Sequence, residues 1–392
     1  QDFGIEVPSF SVDFPAVMDR MNTIRNTATE GFTSWLEGAT DYYRSFAKFV
    51  DAHTLSVGDE TITGDEIIIH TGARARMLDI PGMDSVPWLD NKRLLNLKEL
   101  PKHLLIIGGS YIGLEFAQIF SRLGSSVTII EHAYSLIAHE DADISKRAKA
   151  ILESEGIEVI LGASATKVAE TPEGTLTLSY LQGKTERQVE GSHLLVGVGR
   201  IPNSDNLDLE KAGVQTNERG YIEVDDQCRT NVPHIFALGD VNGKGSFTHT
   251  SVHDGQVYLS ALAGEKRMIS ERVPTYCLYM DPPLARVGLS ENQARKQEIP
   301  FLVTKMQMSA ISRAKEKGET KGFIKVLVSK EDDTILGAAV FGVGGDEIIG
   351  MFALAMEAKL SYTHFQNTVL PHPTVAELIP FMFSNLSEGK DA

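Results

Sequence analysis

The sequence predicts an α/β protein of two or three domains, built around a parallel, doubly wound sheet. Its 392 residues are too many for one hydrophobic core, because single cores stop growing at roughly 250–300 residues. Apolar strand-like runs alternate with helical patterns between residues 104 and 161, and this alternation is typical of parallel sheets covered by helices. From Val273 onward the pattern changes to a strand hairpin followed by a helix. We therefore expect a separate α+β domain at the C-terminal end.

The composition narrows the classes of function. Apolar residues make up 42% and charged residues 23%, the proportions of an ordinary globular chain. The formal net charge is −16 with no basic block, which disfavours nucleic acid and anionic membranes as partners. No apolar run approaches the roughly 18 residues that a membrane helix needs. The two cysteines, Cys228 and Cys277, lack metal-ligand spacing, so we expect a cytoplasmic protein without a metal site.

The N-terminal part predicts one helix and several short strands. An apolar face that recurs every three or four residues predicts a helix over residues 12–37, with the face formed by Val17, Met21, Ile24 and Ala28. Short apolar segments predict strands at Arg44–Val50, Thr54–Val57 and Glu66–His70. Residues 80–87 are punctuated by proline and glycine, which indicates a linker.

The strongest local pattern is a glycine-rich turn between a strand and a helix. The apolar run Leu104–Ile107 leads into Gly108-Gly109-Ser110-Tyr111-Ile112-Gly113, and a helix follows as far as Leu123. A pyrophosphate needs backbone N–H groups and a positive helix end close by. Gly108 suits the tight turn and Gly113 suits close packing of helix and strand, although Ser110 replaces the usual middle glycine.

An acidic residue completes this pattern. Glu131 ends the next strand, 23 residues after Gly108, where a carboxylate accepts hydrogen bonds from an adenosine ribose diol and repels a 2′-phosphate. The turn and Glu131 together predict a dinucleotide site.

The next elements continue the alternation of strands and helices, and the elements of the C-terminal part do not. A helix is predicted at Asp141–Glu155 and a strand at Ile157–Leu161. In the last part of the chain, Gly322–Ser329 and Ile335–Phe341 predict an antiparallel hairpin, and Asp346–Leu360 predicts an amphipathic helix.

Three further motifs are weak when each is taken alone. Residues 197–203 are an apolar run that breaks into glycines, either a cofactor loop or an ordinary strand exit. Gly239-Asp240 ends a strand, so the aspartate either binds a ligand hydroxyl or caps a loop. His372 with Glu377 is either an acid/base pair or a plain turn. His249 and His253 lie four residues apart without an evident third ligand, and we do not expect them to bind a metal.

Together these motifs resemble the FAD-dependent pyridine nucleotide–disulfide oxidoreductases, the group of dihydrolipoamide dehydrogenase, glutathione reductase and mercuric reductase. Five motifs occur in the order of that family over nearly the whole chain. The local sequence is most similar to a mercuric-reductase-like branch at three segments, Thr71–Arg74, Phe247–Ser251 and Arg313–Gly318. The resemblance implies two Rossmann-like domains, for FAD and for NAD, and a C-terminal α+β dimerisation domain. It divides the chain into residues 1–100 (partial FAD domain and linker), 101–203 (NAD(P) domain), 204–270 (return to the FAD domain) and 271–392 (dimerisation).

The resemblance also implies roles for individual residues. The FAD-binding residues would be Thr71, Gly72, Gly239, Asp240, Phe247, Thr248, His249 and Thr250. The nicotinamide nucleotide would contact Gly108, Ser110, Tyr111, Ile112, Gly113 and Glu131, and Glu115 would lie near the nicotinamide ring. Gly199 and Arg200 would also line a cofactor site. His372, oriented by Glu377, would act as acid and base on thiols of a partner subunit in a homodimer.

Two features of that family have no counterpart in this sequence. They are the first glycine-rich βαβ unit, which binds the FAD adenosine, and the Cys-x4-Cys pair that forms the redox disulfide. Neither Cys228 nor Cys277 falls at a redox-pair position. We therefore expect the chain to begin beyond both features, and to retain FAD weakly if produced alone from Gln1.

The sequence favours one function and leaves two alternatives open. The favoured function is electron transfer from NADH, with NADPH less suited, through FAD to a disulfide or another oxidised-thiol substrate. The first alternative is a flavin-dependent NADH oxidase or diaphorase that lacks a redox disulfide. The second is a non-enzymatic nucleotide-binding dimer.

Overall fold

A computed structural model describes residues 3–389. The α-helices within this range are α1 Phe14–Ala39, α2 Asn91–Leu94, α3 Tyr111–Leu123, α4 Ala142–Ser154, α5 Leu209–Ala212, α6 Thr248–Leu262, α7 Glu291–Lys296, α8 Ser312–Glu316, α9 Gly345–Glu357, α10 Tyr362–Gln366 and α11 Ile379–Met382. The strands are β1 Ala47–Phe49, β2 Thr54–Val57, β3 Glu60–Thr63, β4 Ile67–Ile69, β5 Ala73–Ala75, β6 His103–Ile107, β7 Ser126–Glu131, β8 Glu158–Leu161, β9 Ala163–Glu170, β10 Leu176–Gln182, β11 Thr185–Gly191, β12 His193–Val196, β13 Arg200–Pro202, β14 Ile235–Ala237, β15 Thr275–Leu278, β16 Leu284–Gly288, β17 Phe301–Gln307, β18 Phe323–Ser329, β19 Ile335–Phe341 and β20 Ser387–Glu388.

The chain divides into two compact units. Among the described residues, the larger unit contains residues 3–14, Leu78–Gly197 and residues 273–389. The smaller unit contains Pro15–Met77 and Val198–Arg272.

The larger unit contains a four-stranded parallel sheet with strand order β12-β6-β7-β8. Leu104, Leu105 and Ile106 of β6 are fully buried, as expected for an interior strand of a parallel sheet. The chain runs from β6 to β7 on one side and later returns on the other side as β12, so the strand order reverses at β6. Ligands of open parallel sheets bind beyond the carboxyl ends of the strands at such a point.

The same unit contains a six-stranded antiparallel sheet, with order β15-β16-β19-β18-β17-β20. Helix α9 packs against β16 and β19, and Ile349 and Phe352 bury its apolar face in the core. Every residue of β16 and β18 is buried. This part of the structure has the hairpin and amphipathic helix that the sequence predicts for an α+β segment.

The smaller unit is built from short strands. Strands β4 and β14 are parallel neighbours, in the register Ile67↔Ile235 to Ile69↔Ala237. Strands β5 and β13 pair antiparallel, and β1, β2 and β3 form an antiparallel sheet. Because β4 and β14 are parallel, the segments that follow them meet at one edge.

Most elements agree with the sequence prediction to within a few residues, but helix α1 differs in its buried face. The helix forms at Phe14–Ala39, close to the predicted 12–37. The predicted apolar face is wrong, since Val17 and Ile24 are 40% and 58% exposed, whereas Phe14 and Met18 are buried. Periodicity located the helix, but it did not identify which of two adjacent apolar stripes packs inward.

Candidate cofactor sites and acid/base pair

The glycine-rich turn has the geometry of an anion site at a helix start. Gly108 has a φ of +111°, a left-handed conformation that favours glycine. A Cβ atom on Gly113 would lie 2.2 Å from the Gly108 carbonyl oxygen, so α3 approaches the turn closely only with glycine there. Ser110 precedes α3 without a side-chain hydrogen bond to the helix. The positive end of α3 therefore faces the turn without a capping bond from the Ser110 side chain, which suits a pyrophosphate.

Glu131 lies beside this turn at the carboxyl end of β7. Its Oε2 accepts a hydrogen bond from the Gly109 N–H, and its Oε1 accepts one from the Ala133 N–H at 2.7 Å. The residue is nearly buried. Because each carboxylate oxygen has two lone pairs, Glu131 retains acceptor capacity for a ribose diol. The sequence prediction did not include its bond to the turn.

Two other residues of the larger unit complete the surroundings of α3. Glu115 accepts a hydrogen bond from the Tyr279 N–H at 2.8 Å, and burial raises the pKa of its carboxyl group. At the end of β12, the Gly197 N–H donates to the Ile107 carbonyl at 2.8 Å. The carboxyl ends of β6 and β12 therefore lie together beside the turn.

The predicted FAD residues of the smaller unit meet at the edge where β4 and β14 end. The Thr71 hydroxyl donates to the Asn203 carbonyl at 2.8 Å, and the Asn203 amide donates back to the Thr71 carbonyl at 2.9 Å. Asp240 lies in a single 3-10 turn at Gly239–Asn242, with Oδ2 3.5 Å from Arg200 Nε. The Asp240 carboxylate is partly exposed, which suits the hydroxyls of a ribityl chain.

The Phe247–Thr250 segment begins α6. Phe247 is the N-cap residue, and the Thr250 hydroxyl donates to its carbonyl at 2.7 Å. The rings of Phe247 and His249 stack with centroids 5.3 Å apart.

His70 is a feature of this edge that the predicted site did not include. Its Nε2 lies 2.6 Å from the Ser251 hydroxyl oxygen, and a Cβ atom on Gly239 would lie 2.8 Å from the same Nε2. The ends of β4 and β14 and the start of α6 are therefore in mutual contact. His70 could have been recognised as a candidate site residue from the sequence, because its polar ring directly follows the apolar run Ile67–Ile69.

The structure brings His372 and Glu377 together as the sequence predicts. His372 Nδ1 lies 2.7 Å from Glu377 Oε2, with the imidazole side chain 78% exposed and the carboxylate side chain 9% exposed. The Thr374 N–H donates to the same oxygen at 3.3 Å. The buried carboxylate fixes the ring through Nδ1, and Nε2 remains free to exchange protons with a ligand.

The two cysteines are free thiols. Burial, with Asp254 nearby, raises the pKa of Cys228 to about 12, and burial also raises the pKa of Cys277. Neither environment favours the reactive thiolate.

Residues 3–389 contain neither a metal-ion cluster nor a membrane-spanning helix. No group of three or more His, Cys, Asp or Glu side chains in this range is arranged to hold a metal ion. No helix in the same range combines the length and apolar character that crossing a membrane requires.

A buried ion network in the larger unit was absent from the sequence prediction. Arg286 and Lys325 are each 1% exposed, and they bind Glu140 and Asp141 of the loop before α4. The signal was a basic residue in the middle of two apolar strands, Leu284–Gly288 and Phe323–Ser329. Their partners are far away in the chain, and the local pattern did not reveal them.

Comparison with known proteins assigns this fold and these sites to one class. The family model described as pyridine nucleotide-disulphide oxidoreductase matches residues 8–255, and the model for the dimerisation domain of that family matches residues 274–382. A dihydrolipoyl dehydrogenase from Geobacillus stearothermophilus is 34% identical over 384 residues, which are 96% of this chain and 81% of that protein. The probable pyridine nucleotide-disulfide oxidoreductase RclA from Escherichia coli is 37% identical over 347 residues, 86% of this chain and 77% of that protein.

A solved structure agrees with these matches. The HOCl-induced flavoprotein disulfide reductase RclA from Escherichia coli superposes with a TM-score of 0.89 at 34% identity, covering 95% of this chain and 86% of that chain.

The fold and sites define a flavin- and nicotinamide-dependent oxidoreductase. The chain belongs to the pyridine nucleotide-disulphide oxidoreductase family. It is an FAD-dependent enzyme of the class that passes electrons from NAD(P)H through FAD to a disulfide or a related oxidised-thiol substrate. The predicted family, fold class and reaction class are confirmed.

Proposed function

We propose that the chain works as an NADH-preferring disulfide reductase in which His372 handles the substrate proton. The observation that carries this proposal is the contact of 2.7 Å between His372 Nδ1 and Glu377 Oε2. It leaves the other ring nitrogen of an exposed imidazole available for acid/base work.

The proposed binding site for the nicotinamide nucleotide is the turn after β6. The N–H groups at the start of α3 bind the pyrophosphate, and Gly108, Ser110, Tyr111, Ile112 and Gly113 line it. Glu131 accepts from the ribose diol and repels a 2′-phosphate, so NADH is preferred. Glu115, on the first turns of α3, lies on the nicotinamide side.

The proposed binding site for FAD is the edge where β4 and β14 end. Thr71, Gly72 and Gly239 approach FAD through their backbone, and Asp240 holds its ribityl hydroxyls. The remaining residues assigned to cofactors are Gly199, Arg200, Phe247, Thr248, His249 and Thr250. FAD, when bound, supplies the electron transfer between nicotinamide and sulfur, while the protein positions the reactants and controls protons.

His372 and Glu377 serve the sulfur chemistry. Thiol–disulfide exchange needs a thiolate to attack and a proton for the departing sulfur. The His372 Nε2 atom accepts the proton from the attacking thiol and returns it to the leaving thiolate. Glu377 keeps the ring oriented and stabilises its charged form.

The assembly and location extend the proposal. The dimerisation-domain match supports a homodimer formed through residues 271–392. A cytoplasmic location is a separate part of the proposal. Residues 1–100 with 204–270 would form the FAD domain and 101–203 the NAD(P) domain. Within the family, the chain would belong to a mercuric-reductase-like branch.

The test separates the two half-reactions of the full-length, flavin-loaded protein. We expect His372→Ala to leave flavin reduction by NADH nearly unchanged in stopped-flow absorbance. It should slow reoxidation by a disulfide roughly 10²-fold or more, the usual effect of losing an acid/base group. Glu377→Gln should slow it less, because it removes only the orientation and charge of the partner.

His364→Ala is the matched control, since His364 is another histidine of the C-terminal part and its ring Nδ1 contacts Ser361 rather than a carboxylate. It should change neither half-reaction. Equal slowing of both half-reactions by His372→Ala, or of neither, contradicts the acid/base role. Rapid reoxidation by oxygen or a dye, but not by any disulfide, would instead favour an oxidase or diaphorase.

A further inference from the structure

A buried ion network connects the loop after β7 with the C-terminal sheet. Arg286 on β16 donates to Glu140 Oε2 from Nε at 2.8 Å and from Nη2 at 2.5 Å. Lys325 on β18 lies 2.7 Å from Asp141, 2.9 Å from Asp143 and 2.8 Å from Glu291. Both basic side chains are 1% exposed, and Glu140 and Asp141 are buried as well, whereas Asp143 and Glu291 at the edge of the network are 32% and 19% exposed.

Stability alone does not explain such a network. Removing charges from water is expensive, and well-packed apolar residues of similar volume often stabilise a protein as much as a buried ion pair does. A buried ion pair does impose one geometry, because each charged group left without its partner is heavily penalised. The loop that carries Glu140 and Asp141 is therefore held in one position.

This loop is also fastened to the glycine-rich turn. The Ile137 N–H donates to the Gly109 carbonyl at 2.8 Å, and the Glu140 N–H donates to the Ile137 carbonyl at 2.8 Å. At the start of the loop, Glu131 accepts from the Gly109 N–H. Gly109 is thus bonded on both sides to the segment that ends at Glu140.

A tyrosine pair provides a second connection. The Tyr276 hydroxyl on β15 donates to Glu140 Oε1 at 2.9 Å, and its ring lies 5.8 Å from the ring of Tyr111. Tyr111 is the first residue of α3. Burial and the nearby Glu140 raise the pKa of Tyr111 to about 12, so its hydroxyl stays neutral. Both flanks of the turn are therefore linked to Glu140. Gly109 is linked through Ile137, which bonds the Glu140 backbone, and Tyr111 is linked through Tyr276, which donates to the Glu140 side chain.

We propose that Glu140, held by Tyr276 and Arg286, is a positioning residue that sets the shape of the dinucleotide turn. Through it, the C-terminal sheet controls affinity for the nicotinamide nucleotide. This inference rests on the proposed role of the turn in nucleotide binding. None of the three side chains needs to touch the nucleotide, and a change in them acts on binding more than on turnover at saturation.

The test uses Tyr276→Phe, which keeps the ring and removes one hydrogen bond to Glu140. Tyr258→Phe is the matched control, because the Tyr258 hydroxyl donates to Glu66 at 3.0 Å in the smaller unit. The dissociation constant of NADH is measured by calorimetry on each protein. KM and kcat are measured on the flavin-loaded enzyme, and the thermal midpoint on all variants.

We expect Tyr276→Phe to raise the Kd and KM for NADH about tenfold, with kcat within twofold of wild type. Tyr258→Phe should leave all three unchanged. Glu140→Gln, which keeps the shape of the side chain but removes its charge, should raise Kd at least as much as Tyr276→Phe.

A lower thermal midpoint for Tyr276→Phe with unchanged Kd and KM overturns the inference and reduces the network to a structural clamp. Equal loss of NADH affinity in Tyr258→Phe overturns it as well. If the wild-type protein itself fails to bind NADH, the proposed function is contradicted, and this inference is lost with it. If the wild-type protein binds NADH and Tyr276→Phe binds it with the same Kd, the inference is overturned and the proposed function is not affected.

Discussion

At the scale of single residues, Glu131 combines two tasks in one carboxylate. Its oxygens accept hydrogen bonds from the backbone of Gly109 and Ala133, which orders the turn. The same charge stands where a ribose diol or a 2′-phosphate would approach. We therefore propose that the residue that orders the turn also selects between the two nucleotides.

We predict that wild type has a higher kcat/KM with NADH than with NADPH, and that Glu131→Arg shifts the preference toward NADPH. The shift should be about tenfold or more, or about 1.4 kcal/mol, because arginine attracts the phosphate that glutamate repels. Steady-state kinetics with both nucleotides measures it. Glu131→Gln is the companion variant, since it removes the charge and one of the two accepting oxygens without adding a positive charge. A wild-type preference for NADPH would contradict the prediction.

The sequence identified candidate residues where a chemical group stands in a recognisable local pattern. Glu131 could be found because it ends a strand at a fixed distance after a glycine-rich turn, and His372 because an acidic residue follows five positions later. Arg286 could not be connected to Glu140, since the two are 146 positions apart. His70 has the same difficulty, because its partner Ser251 is 181 positions away.

At the scale of elements, the unit β6–turn–α3 was the most predictable part of the fold. Its strand, glycines and helix are adjacent in the chain, so local sequence contains all the information about them. Helix α1 shows the opposite case. Its extent was predicted, but its buried stripe depends on which surface it packs against, and Phe14 and Met18 rather than Val17 turned out to be buried.

We predict that Gly113→Ala weakens NADH binding by tenfold or more. The added Cβ atom would lie 2.2 Å from the Gly108 carbonyl oxygen, so α3 must move away from the turn that we propose binds the pyrophosphate. Gly350→Ala is the control, because this helical glycine in α9 has no atom within 4 Å of the added Cβ. It should be neutral or stabilising by up to about 1 kcal/mol. Wild-type NADH affinity in Gly113→Ala, measured by calorimetry, would contradict the close-approach argument.

At the scale of the whole molecule, sequence order and long-range charge pairing contribute differently. The family could be predicted because its motifs follow one another in a fixed order along the chain. The connection between the parallel sheet and the C-terminal sheet of the larger unit could not, because it consists of ion pairs between distant segments. Lys325 with Asp141, Asp143 and Glu291 is the centre of that connection.

This network predicts how stability depends on pH. Burial alone would raise the pKa of Asp141, but Lys325 and Arg286 outweigh it and lower that pKa below 3.8. A lowered pKa gives stability that is complete above about pH 4 and is lost as the pH falls through the folded value. Burial alone would lower the pKa of Lys325, but Asp141 and its neighbours raise it above 10.5. That contribution is complete below about pH 10.5 and is lost at higher pH.

Lys325→Met should reverse the way the free energy of unfolding changes with pH on the acidic side of neutrality. Without the ammonium group, the buried Asp141 is left with Arg286 at 3.4 Å as its basic partner, and breaking a buried pair costs roughly 3–5 kcal/mol. Asp143 keeps Lys305 and Glu291 keeps Arg295. Burial and the neighbouring carboxylates then raise the pKa of Asp141, so the folded state binds more protons than the unfolded state. The free energy of unfolding should therefore increase as the pH falls from 7 toward 5, whereas that of wild type should stay nearly level.

Urea denaturation of both proteins between pH 5 and 8 measures this difference. Lys330→Met is the matched control, because Lys330 pairs with the exposed Glu388 at the surface, where an ion pair contributes about 0–1 kcal/mol. It should keep the wild-type profile. A Lys325→Met protein that loses stability toward pH 5 would show that its carboxylates remain charged in the folded state. The buried network would then not be held together by the charge of Lys325.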